Sequence, residues 1–216
     1  MMHERRGFFR WMLGGTAGLA LGLPLTTAGA ESATSPLDVE DAWLTALAKR
    51  KQKAFLDIRG FALDGSPFRR SLALMNVLTT TYGLAPADVG IAFGAHSGGL
   101  AYLLSPAFWT EYDVSGKVAG GLRPDDAAAL RKAGPSAASV GVNGVRDLQA
   151  KGIYVLACRN TIARWSRDLA EAHKETPEAV QAKILANLHA GVEPVPAMVA
   201  AAVLAQSRGL GYVAME

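Results

Sequence analysis

The sequence predicts a single α/β domain: a mostly parallel sheet of about five strands with helices on both faces. Short apolar runs bounded by turn residues alternate with longer amphipathic segments, the pattern of parallel sheets covered on both sides. Half of the 216 residues are hydrophobic, enough for one well-buried core and hardly enough for two. The one cysteine, Cys158, excludes an internal disulfide, so stability has to come from burial.

The first thirty residues read as a removable signal rather than as fold. Glu4-Arg5-Arg6-Gly7-Phe8-Phe9-Arg10 has adjacent arginines, an aromatic two positions later and then a basic residue, the start expected of the twin-arginine (Tat) route. The apolar stretch from Trp11 to Leu25 is diluted by glycines and Pro24 and is shorter than the ~20 residues a spanning helix needs. Ala28-Gly29-Ala30 supplies a small-x-small cleavage site, so the mature chain is expected to start at Glu31, to lie in a bacterial periplasm and to keep no membrane span. Cleavage removes three arginines and one glutamate, so a net charge of +3 becomes +1. No basic run with interleaved aromatics remains, which argues against a nucleic-acid ligand.

The elements follow in order. Residues 31–52 form an N-terminal helical segment, capped by Ser35 with Pro36 in its first turn and Trp43, Leu44 and Leu47 facing the core. The domain proper, 53–216, opens with a strand over Lys53–Arg59. Ser66 and Pro67 start a helix whose Phe68, Leu72, Met75, Leu78 and Tyr82 recur at helical spacing, closed by Gly83. Val89–Phe93 is the second strand. Between Gly98 and Ala138 only a helical turn at Gly99–Leu104 and a helix over Pro124–Ala133 are expected, the rest being loop. A helix over Ser139–Lys151 leads into the third and most apolar strand, Ile153–Ala157, with Cys158 at its end. Asn160 or Thr161 is expected to cap a helix reaching about His173. Thr176-Pro177-Glu178 opens another, with a stripe of Val180, Ile184, Leu185 and Leu188. A strand over Val192–Val195, a helix over Pro196–Arg208 and a strand over Gly211–Met215 complete the chain.

Ligands of such sheets bind beyond the carboxyl ends of the strands, and two sequence features fall there. Cys158-Arg159-Asn160-Thr161 places a thiol between a buried strand and a helix N-terminus, whose amides and dipole favour negative charge. Arg159 and Arg164 add to that field. Such surroundings make a thiol a nucleophile or a sulfur carrier. The alternative is a small packed core residue, since unpaired cysteines are among the most buried types. The second feature is Ala95-His96-Ser97-Gly98-Gly99, an imidazole beside a flexible loop able to approach an anion. Ser97 lies outside a Gly-x-Ser-x-Gly elbow, so a serine hydrolase is not expected. His96, His173 and His189 lack metal-ligand spacing, and neither a metal nor a cofactor is expected.

Taken together, the element order, the Cys158-x-Asn160-Thr161 step after the third strand and Val195, Pro196, Val199 and Gln206 in a Val-Pro-x-x-Val-x-x-x-x-x-x-Gln pattern resemble the DsrE/DsrF-like sulfur-relay family, over roughly Lys53 to Met215. The resemblance implies a three-layer sandwich that assembles as a homo-oligomer and carries sulfur as a persulfide on Cys158. His96, Arg159, Asn160 and Thr161 would be the ligand-binding residues and a sulfur-donor or acceptor protein the partner. Relay members of that family are cytoplasmic, whereas this chain carries an export signal. It also has two extra segments, about Ser105–Ala138 and Trp165–Ala190, placed to cover the site or alter assembly. Two functions follow as expectations: periplasmic sulfur handling on Cys158, or a non-catalytic oligomeric binding and assembly module in which Cys158 is structural.

Overall fold

The computed structural model describes residues 41–215. The expected signal over 1–30, its cleavage site and the Ser35 cap lie outside the described residues.

Five strands form one sheet, β1 (Gln52–Ile58), β2 (Val89–Ala95), β3 (Tyr154–Cys158), β4 (Val192–Val195) and β5 (Gly211–Met215), in the order β4-β3-β2-β1-β5. Every neighbouring pair is parallel. The helices are α1 (Ala42–Ala48), α2 (Ser66–Asn76), α3 (Pro106–Glu111), α4 (Val114–Ala119), α5 (Pro124–Ala133), α6 (Ala138–Ala150), α7 (Arg159–His173), α8 (Pro177–Ala186) and α9 (Met198–Ser207). Successive strand side chains point to opposite faces, and the two faces have separate cores. Leu56, Ile58, Phe93, Ala95, Val155 and Ala157 pack with residues of α2 to α8, whereas Phe55, Ala92, Leu156 and Cys158 pack with Trp43, Leu44 and Leu47 of α1 and Met198, Ala201 and Ala205 of α9. The expected sheet with helices on both faces is therefore the observed one.

Close approach explains one glycine. A Cβ at Gly94 would stand 2.5 Å from Met198 Sδ and 2.8 Å from the Phe55 ring. A bare backbone in the middle of β2 lets the start of α9 settle onto the sheet.

Four expectations are corrected. The stretch between Gly98 and Ala138 is not mostly loop: a 3-10 segment over Ser97–Leu103, then α3, α4, α5 and a 3-10 turn over Gly134–Ala137 fill it. Its Tyr102, Phe108, Trp109 and Tyr112 are almost fully buried, and the Trp109 indole donates to the Ala101 carbonyl at 3.0 Å. These aromatics sit on helical pieces of only six or seven residues, too short for a periodic stripe to mark them. Tyr82 does not face the core; it is 71 % exposed, because α2 gives way to a π-helical turn over Val77–Thr81 that rotates the following residues off the apolar stripe. Neither Asn160 nor Thr161 caps α7. Its N-cap is Cys158, whose side chain makes no capping bond, since the strand passes into the helix without an intervening loop. Lastly, α9 starts at Met198 rather than Pro196.

The two extra segments pack on each other. Ser105 Oγ bonds Asn187 Oδ1 at 2.6 Å, the Tyr112 hydroxyl donates to Glu175 at 2.8 Å, and the Lys183 ammonium bridges Glu111 and Glu175 at 2.8 and 2.9 Å.

Candidate functional site

Parallel strands release their last residues at one edge, and the register decides which meet there. Ala95 pairs with Ile58 on one side and Ala157 on the other. The next residues, Arg59, His96 and Cys158, therefore emerge together at the ends of three adjacent strands. Asp57, His96 and Cys158 share side-chain parity with Phe55, Ala92 and Leu156, so all three face α9. A cleft of about 220 Å³ opens there, lined by His96, Ser97, Cys158, Asn160, Thr161 and Arg164 with Ala197, Met198 and Val199 of the α9 entry. The extra segments contribute nothing to its lining.

The expected site residues thus divide. His96, Cys158, Asn160 and Thr161 come together in the cleft. Arg159 is exposed at the first position of α7 and is not among the lining residues, whereas Arg164, one turn further on, is. Cys158 is 5 % exposed, and its Sγ accepts the Met198 N–H at 3.4 Å. As N-cap of α7, it sits beside first-turn amides that have no acceptor within the helix. Of the four residues matching the family pattern after β4, Val195 is buried while Pro196, Val199 and Gln206 are exposed.

Beneath His96 lies a carboxylate that sequence reasoning missed. Asp57 is 5 % exposed. Its Oδ2 accepts the Tyr212 hydroxyl at 2.5 Å and Arg59 Nε at 3.1 Å; its Oδ1 is fully buried and takes no hydrogen bond of regular angle, although His96 Nε2 approaches it to 2.9 Å. A buried carboxylate oxygen without a donor costs about 1–3 kcal/mol or more, and the His96 Nε2 beside it is the nearby group able to donate. Burial alone would raise the Asp57 pKa, but donors from His96, Tyr212 and Arg59 outweigh it and hold the group at about 2. The same bond to Asp57, with burial second, raises the Tyr212 phenol above its ordinary value. The signal for Asp57 was present in Phe55-Leu56-Asp57-Ile58: an acid inside a buried strand needs partners.

The other imidazole nitrogen, His96 Nδ1, lies 3.1 Å from Ser97 Oγ. Ser97 has φ +51°, and its N–H donates to Thr161 Oγ1 at 3.2 Å, tying the end of β2 to the first turn of α7. A second cleft, of about 680 Å³, is lined by Arg59, Phe61, Pro67, Leu122 and Arg123; the first of the two extra segments supplies part of its wall. Among the described residues, no group of three or more His, Cys, Asp or Glu is placed to hold a metal ion, and no helix is long and apolar enough to cross a membrane. No protein-family model matches the chain, and no curated protein sequence matches it at a significant level.

Proposed function

We propose that this chain is a DsrE/DsrF-like sulfur-handling protein, exported by the twin-arginine route, in which Cys158 carries sulfane sulfur as a persulfide. The observation that carries this reading is the placement of Cys158 at the junction of β3 and α7, in one small cleft with His96, Asn160, Thr161 and Arg164. A sulfur donor such as thiosulfate is small and anionic, and a helix N-terminus with a nearby guanidinium suits both the donor and a thiolate. The Cys158 thiolate attacks the sulfane sulfur and forms a new S–S bond. The donor's own S–S bond breaks, and sulfite leaves with the electron pair. A partner thiolate then takes the outer sulfur and regenerates Cys158, so no second cysteine of this chain is required. Because Arg159 lies outside the cleft lining, Arg164 takes the charge-stabilising role. His96 contacts the anion or moves the proton.

Mass spectrometry after incubation with thiosulfate or polysulfide tests this. The expected result is the mass of one added sulfur on the peptide carrying Cys158. No gain, together with alkylation no faster than that of a free thiol, overturns it.

A specific observation favours a second reading. Cys158 is packed in the core beneath α9 and already serves as acceptor for the Met198 amide, as a structural thiol would. Here the chain is a non-catalytic assembly module, and Cys158→Ala lowers stability without loss of function. Either reading includes a homo-oligomer, supported by an apolar surface on α9, where Val199 is 74 % and Val203 59 % exposed. Light scattering reads the mass directly; a monomer at micromolar concentration removes that part of the proposal.

A further inference from the structure

The cleft holds a second nucleophile besides the thiol, and it is better supported by neighbours than the thiol is. Ser97 follows directly on β2, adopts a left-handed backbone at φ +51°, and opens the 3-10 segment over Ser97–Leu103 at once. A strained turn between a central strand and a helix is the geometry that lifts a serine hydroxyl above a sheet edge in nucleophile elbows, although the Gly-x-Ser-x-Gly pattern is absent. The other two non-glycine residues with positive φ, Asp113 and Lys174, are helix caps. Ser97 caps nothing, and strain of this kind gathers at functional sites.

We propose that Ser97, His96 and Asp57 form an acyl-transfer site, with Ser97 Oγ as nucleophile toward short-chain esters or thioesters. The chain of contacts is continuous: Ser97 Oγ to His96 Nδ1 at 3.1 Å, and His96 Nε2 to Asp57 Oδ1 at 2.9 Å. Asp57 holds the proton of the neutral imidazole on Nε2, which leaves Nδ1 free to accept from Ser97, the division of labour of a catalytic triad with the two ring nitrogens exchanged. Tyr212 and Arg59 fix the carboxylate in turn. Imperfect alignment of the His–Asp contact is usual before substrate binds.

Ser97 Oγ attacks the acyl carbon as its proton passes to His96 Nδ1. The bond to the leaving alkoxide or thiolate breaks, and that group departs with the proton. Water then attacks the acyl-serine, giving a proton to Nδ1; the bond from Ser97 Oγ to the acyl carbon breaks, Ser97 takes that proton from His96 and the carboxylic acid leaves, so nothing is oxidised or reduced. The Ser97 amide is engaged with Thr161 Oγ1, so charge on the acyl oxygen has to be met from the α7 side of the cleft, by Asn160, Thr161, Arg164 and the first-turn amides. The substrate class follows from size and lining: about 220 Å³ lies below the ~300 Å³ at which drug-sized sites begin, and Ala197, Met198 and Val199 accommodate a short apolar acyl chain.

The test is labelling of the full chain with a fluorophosphonate, which reports an activated serine. The expected result is a phosphonylated Ser97 peptide, absent in Ser97→Ala and in Ser97→Gly. His96→Gln is expected to slow labelling by about 100-fold or more. Asp57 acts through His96 as a positioning residue. Asp57→Asn is therefore expected both to slow labelling and to move the imidazole proton from Nε2 to Nδ1 in the 15N spectrum of His96. Absence of label on Ser97 in protein that melts cooperatively overturns the proposal, as does labelling of His96→Gln at the unaltered rate. The sulfur adduct of the preceding proposal sits on the separate Cys158 peptide, so either proposal can fail alone.

Discussion

Tyr212 donates its hydroxyl to Asp57 Oδ2 at 2.5 Å, joining the edge strand β5 to a carboxylate buried at the end of β1. The phenol reaches it because Tyr212 pairs with Phe55 across the β1–β5 ladder, two residues before the acid, and stacks on the Phe55 ring. The edge strand is thus tied to the floor of the cleft. Its removal leaves the buried acceptor one donor short, and Tyr212→Phe is expected to cost about 1–3 kcal/mol in urea unfolding while raising the Asp57 pKa in a carboxyl NMR titration.

Asp57 also sets a pH dependence. Its folded pKa is depressed from 3.8 to about 2, so its ionised form favours the folded state: the contribution is complete above the unfolded value and disappears as pH falls from about 4 to about 2. The gap corresponds to about 2 kcal/mol. Denaturant unfolding over that range is expected to show the wild type losing this increment and Asp57→Asn lacking it. Equal slopes for the two proteins would contradict the assignment.

At Ser97 a comparison of two small substitutions separates strain from chemistry. The left-handed backbone costs a residue with a Cβ about 1–2 kcal/mol, and glycine nothing. Ser97→Gly is therefore expected to be more stable than Ser97→Ala by about 1 kcal/mol, roughly 2–4 °C in Tm for a domain of this size, although both lose the hydroxyl.

Gly94→Ala places a methyl 2.5 Å from Met198 Sδ and 2.8 Å from Phe55. The thioether can turn aside, but Phe55 is held between Trp43 and Tyr212. Overpacking of about 1–3 kcal/mol is expected, with displacement of Met198 from Cys158 Sγ. Thermal melting measures the first effect and the rate of Cys158 alkylation the second.

His189 has a buried Nε2 without a hydrogen-bond partner. Burial pushes its pKa below 6.5, partly opposed by a backbone bond to Tyr102. A depressed histidine pKa means that the unfolded chain binds the proton more readily, so stability falls as pH drops below about 6.5. Unfolding midpoints between pH 7 and 5 are expected to decline more steeply for the wild type than for His189→Leu.

All five strands were legible because each is a short local run, and periodicity is a property of neighbours in sequence. Cys158, His96, Asn160 and Thr161 were legible as a group for the same reason, once the strands were ordered: residues at the carboxyl ends of parallel strands share one edge whatever else the chain does. Where local signals compete, the reading failed. A π-helical turn over Val77–Thr81, rich in β-branched residues, ends α2, and a strand running straight into α7 gives the cap position to Cys158 instead of the polar residues that follow.

By itself, then, the sequence determined an α/β sheet with helices on both faces and the strand ends at which a thiol and an imidazole meet. Only the tertiary structure decided what surrounds them. Asp57, Ser97, Thr161 and Tyr212 lie on four different elements, with His96 at the junction just before Ser97, and no spacing encodes their approach, since Tyr212 and Asp57 are 155 residues apart. Parallel pairing brings them within hydrogen-bond range and excludes water, and exclusion of water makes a buried carboxylate hold its donors in place.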